Sequence, residues 1–375
     1  MEYIDTSWRT ALMLSFVLPM WVVALALAIR DIETIANRYL AAFIFLYGLN
    51  LAPQIIGFSG FYQAFPWLTF APFNNELWLG PLLLAHTFSL LKMPPRSIYK
   101  WFFLPGVVQS TYYFIAFVSM PDYKDKWAFN DAFHEIYFVP LELAVGVLLS
   151  LYCIWKCWQL ITSYQARLVN VQSSIESFDT QWLKRAIIFF SVLTVMWILF
   201  ESYNQLVQKM TYVDQFGFYI LFAAIVLWSG IQALSHIREP YPSVRWLTDE
   251  EENEVSQQQD DHIASLAERI LLELEQKQWF RRSKLSINDI ARDLGTNETY
   301  VSRALNNYLK KNFNQLVNEA RVDYAKQTMQ QRTKESLLEI AFDSGFASKA
   351  SFNRWFKQCT GMSPSAWLAS QSEVI

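Results

Sequence analysis

Long apolar blocks alternate with short polar segments over the first two thirds of the chain, from Met1 to about Arg238. A helix needs roughly 20 apolar residues to cross the hydrocarbon core of a bilayer. Blocks near that length lie at 9–29, 38–58, 74–91, 99–119, 133–157, 183–206 and 215–236. The pattern therefore predicts a seven-span transmembrane helical bundle in residues 1–238. The alternative, one soluble all-α core, fails because seven such blocks leave almost no polar surface to cover them.

Basic residues in the connecting loops predict the orientation of this bundle, because cytoplasmic loops carry an excess of Lys and Arg. If the C-terminal part is cytoplasmic, seven spans place Met1 outside and loops one, three and five inside. Those loops carry Arg30, Arg38, Lys92, Arg96, Lys100, Lys156, Arg167, Lys184 and Arg185. The predicted outer loop at 59–73 has no basic residue. Tryptophans near block ends, as at membrane interfaces, are Trp8, Trp78, Trp101 and Trp182.

Strongly polar side chains inside the predicted spans are costly in a bilayer, so each is a candidate for function. Most lie toward the outer half of the bundle, near prolines at positions 53, 81, 105 and 140, where kinked helices can open a cavity. We predict a signal-binding pocket there. Its candidate residues are Asn50, Gln54, Glu76, His86, Gln109, Glu142 and Glu201. Alternatively, these residues hold helices together or anchor the bundle at the interface, since Glu76, Glu135 and Asn204 lie near span ends.

Composition and charge change at about residue 239. The whole chain is 53% hydrophobic and 17% charged with a net charge of −3, but this average joins unlike regions. Residues 239–262 carry one base and eight acids, whereas residues 263–375 carry 16 bases and 12 acids. The acidic segment predicts a solvated linker, and the basic C-terminal part suggests a polyanion partner. A second hypothesis is that the linker glutamates compete with that polyanion for the basic C-terminal part. They are Glu250, Glu251, Glu252 and Glu254.

A helical pattern with a polar outer face begins after the linker. From Ile263 to Leu274 apolar residues recur at helical spacing, and the stretch LSINDIARDLGTNETYVSRALNNYL follows. We predict that Ser286 caps a short helix, that Gly295 permits a tight turn, and that Asn297 caps a second helix. Two short helices joined by a glycine turn form the helix-turn-helix pattern.

The same layout recurs about fifty residues later, in SLLEIAFDSGFASKASFNRWFKQ. Here Ser336 and Ser348 are the predicted caps and Gly345 the predicted turn. Arg303 and Arg354 occupy nearly equivalent places in the two second helices. Between the units, NFNQLVNEARVDYAKQTM predicts one joining helix. A rigid joining helix would fix the separation of the two units. That separation must be about 34 Å if the two units are to enter successive major grooves of B-DNA.

This duplicated unit resembles the DNA-binding domain of the AraC/XylS family of bacterial regulators over about residues 263–370. The resemblance includes the closing signature FNRWFKQCTGMSPSAW, with Gly361 and Pro364 before a last short helix. YPSVRWLTDEE and NFNQLVNEARV are similar to the subgroup in which several membrane spans precede this domain. The resemblance implies an all-α transcription regulator that binds double-stranded DNA, commonly as a homodimer. We expect it in the bacterial inner membrane, with a periplasmic N-terminus and residues 263–375 in the cytoplasm.

The resemblance also implies which side chains meet DNA. The base-facing positions fall on Thr299, Ser302, Arg303, Lys349, Ala350, Asn353 and Arg354, with Tyr300 beside the first of them. Arg can donate two parallel hydrogen bonds to guanine, and Asn can pair in the same way with adenine. A surface ion pair is the alternative role for the two arginines. Phosphate contacts, which carry no sequence information, are expected from Arg281, Arg282, Lys284, Lys310 and Lys311.

Catalytic motifs are absent from the sequence, which has no phosphate-binding glycine loop, no HExxH and no nucleophile elbow. The cysteines have no metal or redox spacing, so Cys153 and Cys157 are expected to be packing residues. We therefore predict a non-enzymatic regulator without cofactor or metal. Two alternatives remain. One is a membrane enzyme or transporter fused to a DNA reader, using His86, Glu142 and Glu201. The other is a bundle that reports on a partner membrane protein.

Overall fold

The computed structural model describes residues 7–93, 97–207, 211, 213–244, 260–332 and 335–372. Within these residues the regular structure is helical, apart from one isolated antiparallel bridge. The predicted all-α class is confirmed. Residue contacts divide the chain into two compact units. Unit 1 comprises Met1–Thr162 and Thr180–Ser243, and unit 2 comprises Ser163–Asp179 and Val244–Ile375.

The described part of unit 1 consists largely of apolar helices. The helices are α1 (Trp8–Ala28), α2 (Thr34–Asn50), α3 (Ala52–Phe58), α4 (Phe61–Ala64), α5 (Glu76–Leu90), α6 (Leu104–Ser119), α7 (Tyr123–Phe129), α8 (Val139–Leu168), α9 (Gln181–Leu206) and α10 (Phe216–His236). A 3₁₀ turn at Ser97–Phe103 precedes α6, and a π-helical stretch at Asn130–Phe138 joins α7 to α8. The last turns of α8, from Ser163, already belong to unit 2.

Six helical segments among the described residues are long and apolar enough to cross a membrane. They are Trp8–Ala28, Thr34–Phe58, Ser97–Ser119, Tyr123–Leu168, Gln181–Asn204 and Phe216–His236. Six of the seven predicted blocks therefore form helices of spanning length. The remaining block, 74–91, forms α5, which has 15 residues and is shorter than a full crossing.

The faces of α1 illustrate how unit 1 is built. One face packs against neighbouring helices, at Met13, Val17, Met20, Ala24 and Leu27. The opposite face is equally apolar, yet Leu18, Val22 and Leu25 are exposed. A helix that is apolar all round suits an apolar solvent better than water. Trp182 was predicted at an interface, but it is buried, with its Nε1 3.4 Å from the Tyr241 hydroxyl.

Unit 2 contains seven further helices among the described residues. They are α11 (Asp260–Gln276), α12 (Ile287–Leu294), α13 (Glu298–Arg303), α14 (Phe313–Gln331), α15 (Leu337–Asp343), α16 (Lys349–Thr360) and α17 (Pro364–Ser372). One buried cluster is formed by α11, α12, α13 and the start of α14, and a second by the end of α14 with α15 and α16. The predicted joining helix is thus α14, and it contributes to both clusters.

Residues 163–179, which comprise the last turns of α8 and most of the chain between α8 and α9, also belong to unit 2. We call them the inserted segment. The sequence had counted them with the membrane part, 1–238. In the structure Val171 packs against the first buried cluster, and Gln172 forms the isolated bridge with Ser286. Most of the predicted linker, 245–259, lies outside the described residues, so both hypotheses about it stay predictions.

Candidate functional site

The first helix pair of unit 2 is α12 and α13. Ser286 and Asp289 form a capping box, in which the hydroxyl accepts from the Asp289 amide at 3.3 Å and the carboxylate from the Ser286 amide at 3.0 Å. Gly295 ends α12 with a φ of 67°, in the left-handed region that favours glycine. Asn297 caps α13 by accepting a hydrogen bond from the Tyr300 amide at 3.0 Å. The predicted caps and turn are confirmed.

The second pair, α15 and α16, has the same local structure. Ser336 and Glu339 form a second capping box, and the hydrogen bonds from Ser336 lower the pKa of Glu339 below its usual value. Gly345 follows α15 with a φ of 90°. Ser348 caps α16 by accepting from the Ser351 amide at 3.1 Å. Each pair therefore consists of a capped helix, a left-handed glycine turn and a second capped helix.

The predicted base-facing residues lie on the second helix of each pair. On α13 they are Thr299, Tyr300, Ser302 and Arg303, all partly exposed. On α16 they are Lys349, Ala350, Asn353 and Arg354, all exposed. The structure thus places each set of four on one short helix. Tyr300 also packs against the first buried cluster, so part of its surface serves the core.

Among the described contacts are carboxylate partners of three predicted phosphate-binding residues. Arg281 pairs with Asp343, Arg282 with Asp293 at 3.1 Å, and Lys311 with Glu319 at 2.6 Å. Lys284 and Lys310 are exposed. Surface ion pairs contribute only about 0–1 kcal/mol. A phosphate could therefore replace the carboxylate at small cost.

The two helix pairs are joined by α14 and also by a set of close contacts, which we call the junction. It is formed by Arg281, Tyr324, Asp343 and Gly345. The Asp343 carboxylate forms an ion pair with Arg281 and accepts a hydrogen bond from the Tyr324 hydroxyl at 3.2 Å. The Arg281 guanidinium lies 5.1 Å from the centre of the Tyr324 ring. At Gly345 the backbone approaches so closely that an added Cβ would lie 2.8 Å from the Arg281 Cα, and nearer still to the Phe280 carbonyl oxygen. Only glycine fits this position.

Arg321, on α14, is fully buried. Its Nε donates to the Phe280 carbonyl at 2.7 Å, and its Nη2 donates to the Arg282 carbonyl at 2.8 Å and the Ser173 hydroxyl at 3.1 Å. Burial lowers the pKa of Arg321 to about 10, and the negative charge of Glu176 acts in the opposite direction. The side chain is therefore charged at neutral pH, and a buried charge requires such an oxygen shell.

The inserted segment supplies part of this shell and contacts a predicted DNA-reading residue. The Ser173 carbonyl accepts from Asn314 Nδ2 at 2.8 Å and Asn318 Nδ2 at 2.9 Å, and its hydroxyl donates to the Leu285 carbonyl at 2.7 Å. Three residues further on, Glu176 forms an ion pair with Arg354. The surface ion pair that was the alternative role for Arg354 is thus present in this structure.

Unit 1 contains a cavity of about 410 Å³, a size typical of small-molecule sites. Five of the seven predicted pocket residues line it. They are Asn50, Gln54, Glu76, Glu142 and Glu201. The other two do not line it. His86 is buried with its Nδ1 2.9 Å from the Ala36 carbonyl oxygen, and Gln109 is buried against Glu142.

Two neutral donors contact the Glu142 carboxylate. Gln109 Nε2 donates to its carboxylate at 2.5 Å, and the Tyr113 hydroxyl does so at 3.1 Å.

Asn50 Oδ1 accepts from a backbone amide, but its buried Nδ2 has no partner among the described residues, and neither has the buried Oε1 of Gln54. Unpaired buried polar atoms are uncommon in native proteins. Here one donor and one acceptor belong to residues that line the same cavity.

Sequence reasoning missed the aromatic part of the cavity wall. It includes Phe43, Tyr47, Tyr113, Phe190, Trp197, Phe200, Phe218, Tyr219 and Phe222. Helical spacing offered a signal for two of them, because Tyr47 lies three residues before Asn50 and Tyr113 four residues after Gln109. No comparable pattern in the sequence indicated that the inserted segment packs within unit 2.

Comparisons with known proteins agree with the geometry of unit 2. The profile of the helix-turn-helix domain family matches residues 290–370. An uncharacterized HTH-type transcriptional regulator of Staphylococcus aureus strain COL is 29% identical over 90 residues, which are 24% of this chain and 12% of the relative. A counterpart from strain MSSA476 has the same identity and coverage. The chain thus spans about an eighth of the length of these curated relatives. No solved structure matches the chain.

These findings define the class of the C-terminal part. The chain carries a C-terminal helix-turn-helix domain of the AraC type, as DNA-binding transcriptional regulators do. This domain contains both capped helix pairs, except for the first turn of α12, which precedes the matched residues.

Proposed function

We propose that this protein is a membrane-embedded transcriptional regulator that binds specific double-stranded DNA through two helix-turn-helix units. The observation that carries the proposal is the recurrence of one local structure in α12–α13 and α15–α16. Each second helix presents an arginine, Arg303 or Arg354, that can read guanine. The junction at Asp343 and the helix α14 would hold the two readers at a fixed separation, as binding to successive major grooves requires.

The surface of unit 1 supports a position in the membrane. Large apolar side chains on several helices are exposed, among them Leu148 on α8 and Leu199 on α9 at 70% and 65%. Apolar surface of this extent is unfavourable in water and matches lipid. We propose α5 as a seventh crossing. Most of its residues are buried by neighbouring helices, so its short apolar stretch faces protein rather than lipid.

The orientation follows from the same proposal, with the N-terminus in the periplasm and unit 2 in the cytoplasm of a bacterial inner membrane. The basic loops support this orientation through the positive-inside rule. Loop five also bears on the topology, independently of charge. The inserted segment lies in loop five and packs within unit 2, so loop five and the C-terminal domain share one side. Two proposed crossings, α9 and α10, lie between loop five and the C-terminal domain. An even number of crossings returns the chain to the same side, as this shared side requires.

Sensing completes the proposal. A signal bound in the cavity of unit 1 would favour one packing of the bundle over another, and it can shift the equilibrium only through a difference in affinity for the two states. We propose two routes to the DNA readers. One runs through α10 and the linker, and the other through α8, α9 and the inserted segment between them. A homodimer would present two copies of unit 2 to adjacent sites.

The test of DNA reading is a selection of genomic fragments by the full-length protein in detergent, beside an Arg303→Ala, Arg354→Ala double variant. We expect the wild type to enrich a motif with two contact blocks about one helical turn apart. Each single variant should lose about 1–3 kcal/mol of binding free energy and relax the base preference in one block. Equal enrichment by wild type and double variant would contradict the assignment of these residues.

Glu176→Gln should raise DNA affinity, because it releases Arg354 from its ion pair. The pair is partly exposed, with 52% of the arginine side chain and 33% of the glutamate side chain accessible. We therefore expect a gain of no more than about fivefold at low salt, measured by fluorescence anisotropy. Glu335→Gln is the control, because it removes the same charge from an ion pair with Arg332. Equal gains in both variants would mean that only net charge matters.

A further inference from the structure

We propose that the cavity of unit 1 binds a protonated organic amine with an aromatic or aliphatic body. This inference rests on the proposed sensing role of the bundle and names the chemical class of its signal. The first observation is the charge of the wall. Glu76, Glu142 and Glu201 line one cavity of about 410 Å³, and Glu76 interacts electrostatically with the other two. Lys and Arg are absent from the lining that the structure describes.

The contacts of Glu142 sharpen this argument. Its two described partners, the Gln109 amide and the Tyr113 hydroxyl, are neutral donors that orient the carboxylate without neutralising it. Glu76 is exposed and lines the cavity. Neighbouring carboxylates repel one another unless a cation lies between them. An ammonium group would supply that charge together with N–H donors.

The aromatic wall supplies the second observation. Tyr47, Tyr113, Trp197 and Tyr219 line the cavity together with several phenylalanines. Ring faces attract cations, and desolvated sites strengthen this attraction. The same rings pack against apolar parts of a ligand. A carboxylate or phosphate ligand would meet repulsion here, and a bare metal ion would leave the aromatic surface unused.

The unpaired polar atoms provide a third, independent observation. Gln54 Oε1 is a buried acceptor without a described partner, and it suits an ammonium N–H. Asn50 Nδ2 is a buried donor without a described partner, and it suits an oxygen elsewhere on the ligand. Its orientation is fixed because Asn50 Oδ1 accepts from the Asn75 amide.

The experiment compares three probes of similar size on the full-length protein in lipid nanodiscs, with empty nanodiscs as a partition control. The probes are phenylbutylamine, phenylbutanol and phenylbutyrate, which are cationic, neutral and anionic at neutral pH. Saturable binding is measured by calorimetry or by the thermal shift of the protein. We expect phenylbutylamine to bind at least about tenfold more tightly than phenylbutanol, because a charge-assisted hydrogen bond is lost in the alcohol, and phenylbutyrate not to bind.

Variants locate the site. Glu142→Gln and, separately, Glu76→Gln should each weaken phenylbutylamine binding by about tenfold. Glu135→Gln is the matched control, since Glu135 is exposed and outside the cavity wall. The comparison of the three probes on wild-type protein does not depend on any variant folding. Equal binding of the amine and the alcohol, or tighter binding of phenylbutyrate, would overturn the inference.

DNA occupancy measured on the same samples separates this inference from the proposed function. If the protein selects DNA but shows no preference for the amine, the ligand class is wrong and the regulator proposal stands. If the amine binds through Glu142 but DNA occupancy does not respond, the site stands and the sensing role fails.

Discussion

A fragment of residues 260–375 is expected to be much less stable than the same fragment joined to residues 163–179 by a flexible linker. Without the inserted segment, Arg321 keeps its buried charge but loses the hydroxyl of Ser173, and Asn314 and Asn318 lose the Ser173 carbonyl. Losing a hydrogen bond to a charged group costs about 1.5–3 kcal/mol, and each buried amide left without its acceptor adds about 1–3 kcal/mol, together a large part of the stability of a small domain. Urea unfolding followed by circular dichroism measures the difference.

Two controls show whether the effect comes from these contacts. Joining a scrambled 163–179 sequence through the same linker should not restore stability. Replacing Arg321 with Met removes the buried cation, and in that background the inserted segment should stabilise the fragment much less. If 260–375 alone unfolds at the same urea concentration as the joined fragment, the inserted segment is not an integral part of the domain.

Gly345→Ala is expected to be far more damaging than Gly295→Ala, although both glycines follow the first helix of a pair. Both positions are left-handed, with φ of 90° and 67°, and a side chain there costs roughly 1–2 kcal/mol. An added Cβ at Gly295 would lie in open space, whereas at Gly345 that atom would meet the backbone of Phe280 and Arg281. The clash should add about 1–3 kcal/mol.

Unfolding of the joined fragment and its binding to DNA measure both consequences. Gly345→Ala should also reduce the affinity for a two-block DNA site more than for a single block, because the junction that relates the two readers is displaced. Gly295→Ala should keep the ratio of the two affinities. Equal losses of stability in the two variants would mean that the backbone at the junction yields easily.

The helix pairs show where sequence reasoning succeeds. Caps at Ser286, Asn297, Ser336 and Ser348 act within three or four residues of the chain, so local spacing is enough to predict them. The same holds for the turn glycines, which respond to a local backbone requirement. Glu339 completes a capping box in the same local way, and its spacing from Ser336 could have predicted it.

The cavity shows a partial success. The cost of polar groups in an apolar span pointed to Glu76, Glu142 and Glu201, and all three line the cavity. The same rule also selected His86, which is buried and bonded to the Ala36 carbonyl instead. Cost alone does not tell whether a polar residue faces a neighbouring helix or a cavity. That distinction depends on how each helix is rotated, which neighbouring helices decide.

The helical class, the apolar blocks and the capped helix pairs could all be predicted from the amino-acid sequence, because hydrophobic periodicity and capping are local properties. Three features emerge only from the folded chain: residues 163–179 belong with the C-terminal domain, Glu176 pairs with Arg354, and Gly345 lies against Phe280. Each of these contacts joins residues more than sixty positions apart. Their partners are selected by packing and by the need to satisfy buried charge, and neither leaves a periodic signal in the chain.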